Sequence, residues 1–140
     1  MKSLFKINIS AVISNKDKIL IGKRSLEEDV FPGFWGIPGG TLELTDKNLE
    51  NALSREIMEE VNITIENIKF IKNNISQKDT IGVLYLMCTA DYKNGKIQAK
   101  DGTDEVLWIN IEDLNDYKFT PYTKDFIIET YERKKSDNCV

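Results

Sequence analysis

The sequence contains no histidine. That removes His-based catalytic triads, phosphohistidine chemistry and most zinc sites from consideration. Cysteine is nearly as scarce, with Cys88 and Cys139 only, and their placement forms no metal or redox motif. Cys88 sits in an apolar run and reads as core; Cys139 lies in the tail, and no disulfide between them is expected. Positive charge is short as well: 19 Lys and Arg against 23 Asp and Glu leave a net charge of -4. A stable nucleic-acid partner would call for the opposite balance. A small anionic substrate remains compatible, because a bound cation inverts the local field. Long apolar runs are missing too. "IGVLYLMCTA" is too short to span a bilayer, and charges interrupt any signal-peptide core in "MKSLFKINISAVISNKDKILIGKR". A soluble cytoplasmic protein without a membrane partner is expected.

What is present is 41% hydrophobic and 30% charged over 140 residues, the balance of one globular domain. "LFKINISAVIS" alternates and is β-branched, so it reads as a strand; "KILIGKR" returns after the turn "NKDK". "SLEEDVFPGF" reads as a loop, and "WGIPGGTLE" as short extended pieces around a Gly-Gly bend. Asn48, with Asp46 as an equal candidate, caps a helix from about Leu49 to Val61, and Asn62 takes the left-handed position after it. "ITIENIKFIKNNIS" and "TIGVLYLMCTADY" read as strands, "KNG" as a hairpin turn, "KIQAK" as a possible strand, "VLWINI" as a further strand and "EDLND" as a helical turn. Thr120 and Pro121 read as N-cap and first residue of a last helix running to about Arg133. Strands dominate, so the class is α+β. The domain is expected to span 1–134, with 135–140 a frayed tail.

The internal helix carries a puzzle. At ~100° per residue, Leu53, Ile57 and Val61 form a core stripe, while Glu56, Glu59 and Glu60 share one arc. Glu56 and Glu60 are like charges four apart, and Glu59 and Glu60 sit where the helix dipole disfavours anions. Most Glu runs on helices are solvated faces, but those tend to intersperse Lys. Three carboxylates on one arc supply hard oxygen ligands of the kind Mg²⁺ accepts, and a divalent ion would offset both costs. Arg55 borders the arc and can pair with Glu59. Upstream, Gly39 and Gly40 allow close backbone approach to a ligand.

These residues resemble the Nudix box, written G-x5-E-x7-R-E-U-x-E-E-x-G-U with U aliphatic. Arg55, Glu56, Ile57, Glu59, Glu60 and Ile63 match at the expected spacing, and Gly40 matches the opening glycine if the loop carries one extra residue. Two positions depart: Lys47 occupies the place of the first Glu, with Asp46 beside it to serve instead, and Asn62 replaces the closing glycine. "FPGFWGIPGG" and "EVLWIN…EDL" also resemble the family's lead-in and later strand. The resemblance implies the Nudix fold, a mixed β-sheet sandwiched between helices, and hydrolysis of a nucleoside diphosphate linked to another moiety. It implies Mg²⁺ or Mn²⁺ held by Glu56, Glu59, Glu60 and a Gly39 or Gly40 carbonyl, with Arg55 orienting the acids. Glu105, preferred over Asp104, is the expected base from the loop before "VLWIN". Phe34, rather than Phe31 or Trp35, is the candidate for stacking a nucleobase. Lys23 and Arg24 could meet phosphates. A nucleoside triphosphate leads as substrate, ahead of ADP-ribose, other nucleotide sugars or dinucleoside polyphosphates. The contrasting class is a nucleotide-sensing Nudix module without turnover. A monomer or homodimer fits either class.

Overall fold

A computed structural model describes residues 2–137. The strand β1 (Leu4–Asn15) alternates as expected, and its two faces sort the whole molecule. Ile9, Ala11 and Ile13 point into one cluster with Leu20, Cys88 and the helix residues Leu53, Ile57 and Val61. Val12 points into the other, with Ile19, Ile21, Trp35, Ile109, Phe126 and Ile127. One sheet therefore carries a core on each side, α1 (Leu49–Val61) on the first and α2 (Thr123–Asp137) on the second. Burial pushes the Cys88 thiol up to about 12, as suits an inert core residue. Cys139 lies outside the described residues.

The sheet is mixed. β1 runs parallel to β6 (Ile81–Asn94) over its length and Trp35 makes a parallel bridge to Phe119, while the other pairings among the described residues are antiparallel: β1 with β2 (Lys18–Arg24) and β4 (Gly39–Thr41), β2 with β3 (Trp35–Gly36) and β7 (Thr103–Asn110), and β5 (Thr64–Lys78) with β6. The α+β class and the sheet between helices are as the sequence implied. Among the described residues no helix is long and apolar enough to cross a membrane.

Three local expectations are corrected. "KIQAK" (96–100) is not a strand. Gly95, at φ +107°, turns the chain back onto the end of α1, where Gln98 N–H donates to Val61 O at 3.1 Å and Lys100 N–H to Glu60 O at 3.0 Å. The segment satisfies helix carbonyls that would otherwise lack partners. The last helix does not start at Pro121. Tyr122 at φ +68° breaks the helical path, Thr120 and Thr123 bond through their hydroxyls at 2.6 Å, and α2 begins at Thr123. That helix also runs beyond Arg133 to Asp137, into the segment read as a frayed tail; 138–140 lie outside the described residues. The cap of α1 is Asn48, whose side chain accepts from Asn51 N–H at 2.8 Å, which frees Asp46 for another partner.

Asn62 ends α1 in the left-handed region (φ 68°, ψ 27°), its N–H donating to Met58 O. Its side chain also donates to Lys96 O at 3.1 Å, tying down the 96–100 segment. Asn62→Gly gains backbone ease and loses that bond, so its melting temperature should stay near the parent's. Asn62→Val should lower stability by about 1–2 kcal/mol, the cost of a left-handed branched residue. Equal thermal midpoints for the two variants would show that the cap conformation is not what matters there.

Candidate active site

Arg55 organises the site. Its Nε and Nη2 donate to the two oxygens of Asp46, each at 2.8 Å, a bidentate pair. Nη2 also donates to Thr41 O at 3.3 Å, while Nη1 reaches Glu56 at 2.9 Å, Glu59 at 3.0 Å and Glu43 at 3.5 Å. The Asp46 contact, first of all, raises Arg55 further above its ordinary value, and Arg55 holds the Asp46 carboxyl down at about 2. Counted from Gly40, Asp46 is the sixth residue, the box's G-x5-E distance; the extra residue lies between Asp46 and Arg55. Asp46 thus carries the arginine contact, while Lys47 is exposed.

Glu60 is the most confined acid. Gly39 N–H donates to its Oε2 at 3.3 Å and the Thr103 hydroxyl to its Oε1 at 3.4 Å. Burial pushes its carboxyl up to about 7, the nearby Glu56 charge adds to this, and the two hydrogen bonds and Arg24 pull the other way. Burial also raises Glu56, against Arg55. The two glycines have separate reasons. A Cβ on Gly39 would lie 2.2 Å from Ile9 O and 2.6 Å from Ser10 Cα; one on Gly40 would lie 2.0 Å from Glu56 Oε2. Gly39 lets β4 close on β1, whereas Gly40 makes room for a carboxylate.

The β1–β4 ladder assigns the carbonyls. Ala11 N–H donates to Pro38 O and Leu42 N–H to Ile7 O, so Gly40, opposite Ile9, falls at the same kind of position and its carbonyl faces β1. Gly39 lies between these positions and turns its polar groups outward, as its bond to Glu60 shows. Of the two carbonyls the sequence offered, that of Gly40 is turned toward β1 and that of Gly39 away from it.

Other candidates divide by face. Arg24 shares α1's side with Gly22 and Leu20, but its Nε donates to Val30 O at 2.8 Å and its Nη2 pairs with Glu28 at 3.6 Å, so it chiefly shapes the 25–34 loop. Glu105 is not brought to the acids. It pairs with Lys23, and strand alternation sets both on the α2 side with Leu107 and Ile109. A bulge between Lys23 and Arg24 takes up Asp104, which instead accepts from Leu26 N–H at 3.4 Å, and brings Thr103 round to Glu60. Phe34 already has Lys118 Nζ over its ring at 4.5 Å and Phe31 tilted beside it at 5.3 Å, leaving little free face for stacking. Trp35 is core, 5.0 Å from Tyr117. Thr103 and Lys118 carried no signal of their own, since both needed the bulge and the sheet register to be placed. A cavity of about 720 Å³ opens on the α2 side, lined by Ser14, Thr89 and Arg133 among others, and touches none of the acids.

Among the described residues the acids do not already converge as a metal cluster, because Glu56 and Glu59 face the Arg55 cation. The donor set nevertheless fits a hard cation: carboxylate oxygens on one helical arc, an outward Gly39 carbonyl, and a Glu60 carboxyl whose charge burial disfavours until a cation joins it. Arg55 is held independently by Asp46, so Glu56 and Glu59 can leave it without loosening it.

The NUDIX domain model matches residues 4–129. The chain belongs to the Nudix family. It is a hydrolase of phosphoanhydrides, and the family's members generally use a divalent metal. It is similar to the nucleoside triphosphatase NudI of Klebsiella pneumoniae strain 342, 26% identical over 132 residues, covering 83% of this chain and 89% of that one. The crystal structure of a MutT NUDIX hydrolase from Burkholderia pseudomallei superposes with a TM-score of 0.74 at 22% identity, over 87% of this chain and 95% of that one. The NUDIX domain of Shewanella oneidensis NrtR, complexed with ADP ribose, gives 0.76 at 20% identity, over 95% and 89%. At those identities the structures speak for the fold.

Proposed function

We propose that this chain is a Mg²⁺- or Mn²⁺-dependent pyrophosphohydrolase that converts a nucleoside triphosphate to the monophosphate and pyrophosphate. The observation that carries it is the juxtaposition of Glu56 and Glu60 with the Gly39–Gly40 bend, beneath an arginine that Asp46 fixes in place. Glu56, Glu59, Glu60 and the Gly39 carbonyl would hold the metal. When bound, it neutralises the diphosphate and lowers the pKa of an attacking water. Arg55 orients Glu56 and Glu59 until the metal takes them up, and Asp46 holds it in place meanwhile. Gly39 N–H and Thr103 fix the direction of Glu60. With Glu105 on the other face, the water's proton passes to a carboxylate of the α1 arc. The water oxygen joins one phosphorus of the anhydride and the bridging oxygen leaves with the other.

The NudI likeness favours a triphosphate over ADP-ribose, another nucleotide sugar or a dinucleoside polyphosphate. We read it as a cytoplasmic enzyme, monomeric or homodimeric, in keeping with its acidic composition and its small-molecule substrate. A nucleotide panel assayed with Mg²⁺ or with chelator, in ¹⁸O-labelled water, tests the reading. Metal-dependent release of monophosphate, with label in one product, is expected. Orthophosphate as the first product, from phosphomonoesters as readily as from nucleotides, would defeat it. Binding without turnover would indicate the sensing module instead.

A further inference from the structure

Gly36 stands in β3 where the fold does not need a glycine. Its φ is not positive, and among the described residues an added Cβ would meet only Thr120 Oγ1, at 3.7 Å, an ordinary contact. Glycine weakens a strand, and where packing does not demand it, it marks the close approach of something else. The register shows what surrounds it. On α1's side of the sheet, Thr103, Arg24, Phe34 and Lys118 lie across one row, and Gly22, Gly36 and Thr120 across the next. Gly36 is thus a bare patch bounded by Arg24 on one hand and by Phe34, Lys118 and Thr120 on the other, with Glu60 close to Arg24 and Thr103.

Lys118 completes the patch. Its ammonium rests over the Phe34 ring, and among the described residues no carboxylate lies within 4 Å of it. A cation held by a ring and lacking an anion is set up to meet a ligand oxygen. Thr103 and Phe34 are two strand spacings apart, roughly 10 Å. That is the scale of a nucleotide laid with its phosphates at the acids and its base over Gly36, its edge toward Lys118.

We infer that the base of the substrate lies flat on the backbone at Gly36 and that Lys118, steadied by Phe34, selects pyrimidines that present a carbonyl and not an amino group at C4. The inference rests on the phosphoanhydride reading for the position of the phosphates. An ammonium only donates, so it rewards a carbonyl and is left unpaired by an exocyclic amino group at the same place. Uridine and cytidine nucleotides differ at C4, a carbonyl in one and an amino group in the other, and at the N3 beside it.

Titration of the metal-free chain with UMP and with CMP, followed by amide NMR shifts, tests this without turnover. UMP should bind about tenfold tighter. Lys118→Met should bring the ratio close to one, and Gly36→Val should weaken both nucleotides about tenfold or more at an unchanged melting temperature. Equal affinities in the parent would overturn the inference. So would a Lys118→Met variant that loses both nucleotides alike, since Lys118 would then be a phosphate contact. Parental affinity in Gly36→Val, or no saturable binding of either nucleotide at millimolar concentration, would overturn it too. A UMP preference with no metal-dependent hydrolysis of any nucleotide would sink the hydrolase reading and leave the base site standing. Hydrolysis of UTP and CTP at equal kcat/KM would do the reverse.

Discussion

Glu60→Gln is expected to lower kcat by about 10²–10³-fold, the scale of losing one group that stabilises charge in the reacting complex. The same variant should fold as well as the parent, or better, when metal is withheld. Glu60 is pushed up to about 7 from an ordinary 4.5, mainly by burial. A carboxyl raised in the folded state contributes stability that is fully present below the unfolded pKa. That contribution disappears as pH climbs through the folded pKa. In chelator the parent should therefore lose stability between about pH 4.5 and pH 7, by no more than ~3 kcal/mol. Gln cannot ionise, keeps the size, accepts from Gly39 N–H through its amide oxygen, and can turn its NH2 to donate to the Thr103 hydroxyl. Its stability should be flat over that window. Thermal melts at pH 5 and pH 8 in chelator, for both proteins, check the point. A Glu60→Gln protein that melts well below the parent at pH 8 without metal would make Glu60 a structural residue.

The acids were legible in the sequence because helical spacing alone decides their shared arc, and α1 runs from Leu49 to Val61 as the caps indicated. Asn62 was legible for the same reason: a helix end needs a left-handed residue wherever the helix packs. Glu105 was not. Its side follows from alternation with Leu107 and Ile109 once β2 and β7 are in register, whereas Thr103 reaches Glu60 only through one extra residue in β7, and a bulge has no fixed sequence signature. The segment 96–100 looked like a strand because it alternates, yet its partner is the end of α1, a long-range choice that local pattern does not carry. Tyr122 hid the start of α2, since nothing in Thr-Pro-Tyr signals a positive φ at an aromatic residue. The site thus divides into a helix that spacing specifies and a sheet face that register specifies. Only the first can be counted off along the chain.

Gly39 and Gly40, adjacent and chemically identical, should fail in opposite ways. In Gly40→Ala the new methyl would fall 2.0 Å from Glu56 Oε2 and 2.3 Å from its Cδ. Those atoms end a flexible side chain, so the carboxylate can swing aside at little cost to the fold. Turnover should still drop by about 10²-fold or more, because on the proposed reading Glu56 holds the metal and such sites tolerate only small misplacement. In Gly39→Ala the methyl meets backbone, Ile9 O at 2.2 Å and Ser10 Cα at 2.6 Å, inside a strand pair that cannot swing. The strands must part or the chain must shift, and a loss of about 1–3 kcal/mol or more follows. Melting temperature and metal-dependent turnover, measured on both variants, separate the two causes. Gly40→Ala with normal turnover would mean that Glu56 has no fixed position to lose. Gly39→Ala with a parental melt would mean that β4 does not hold β1 as closely as the contacts imply.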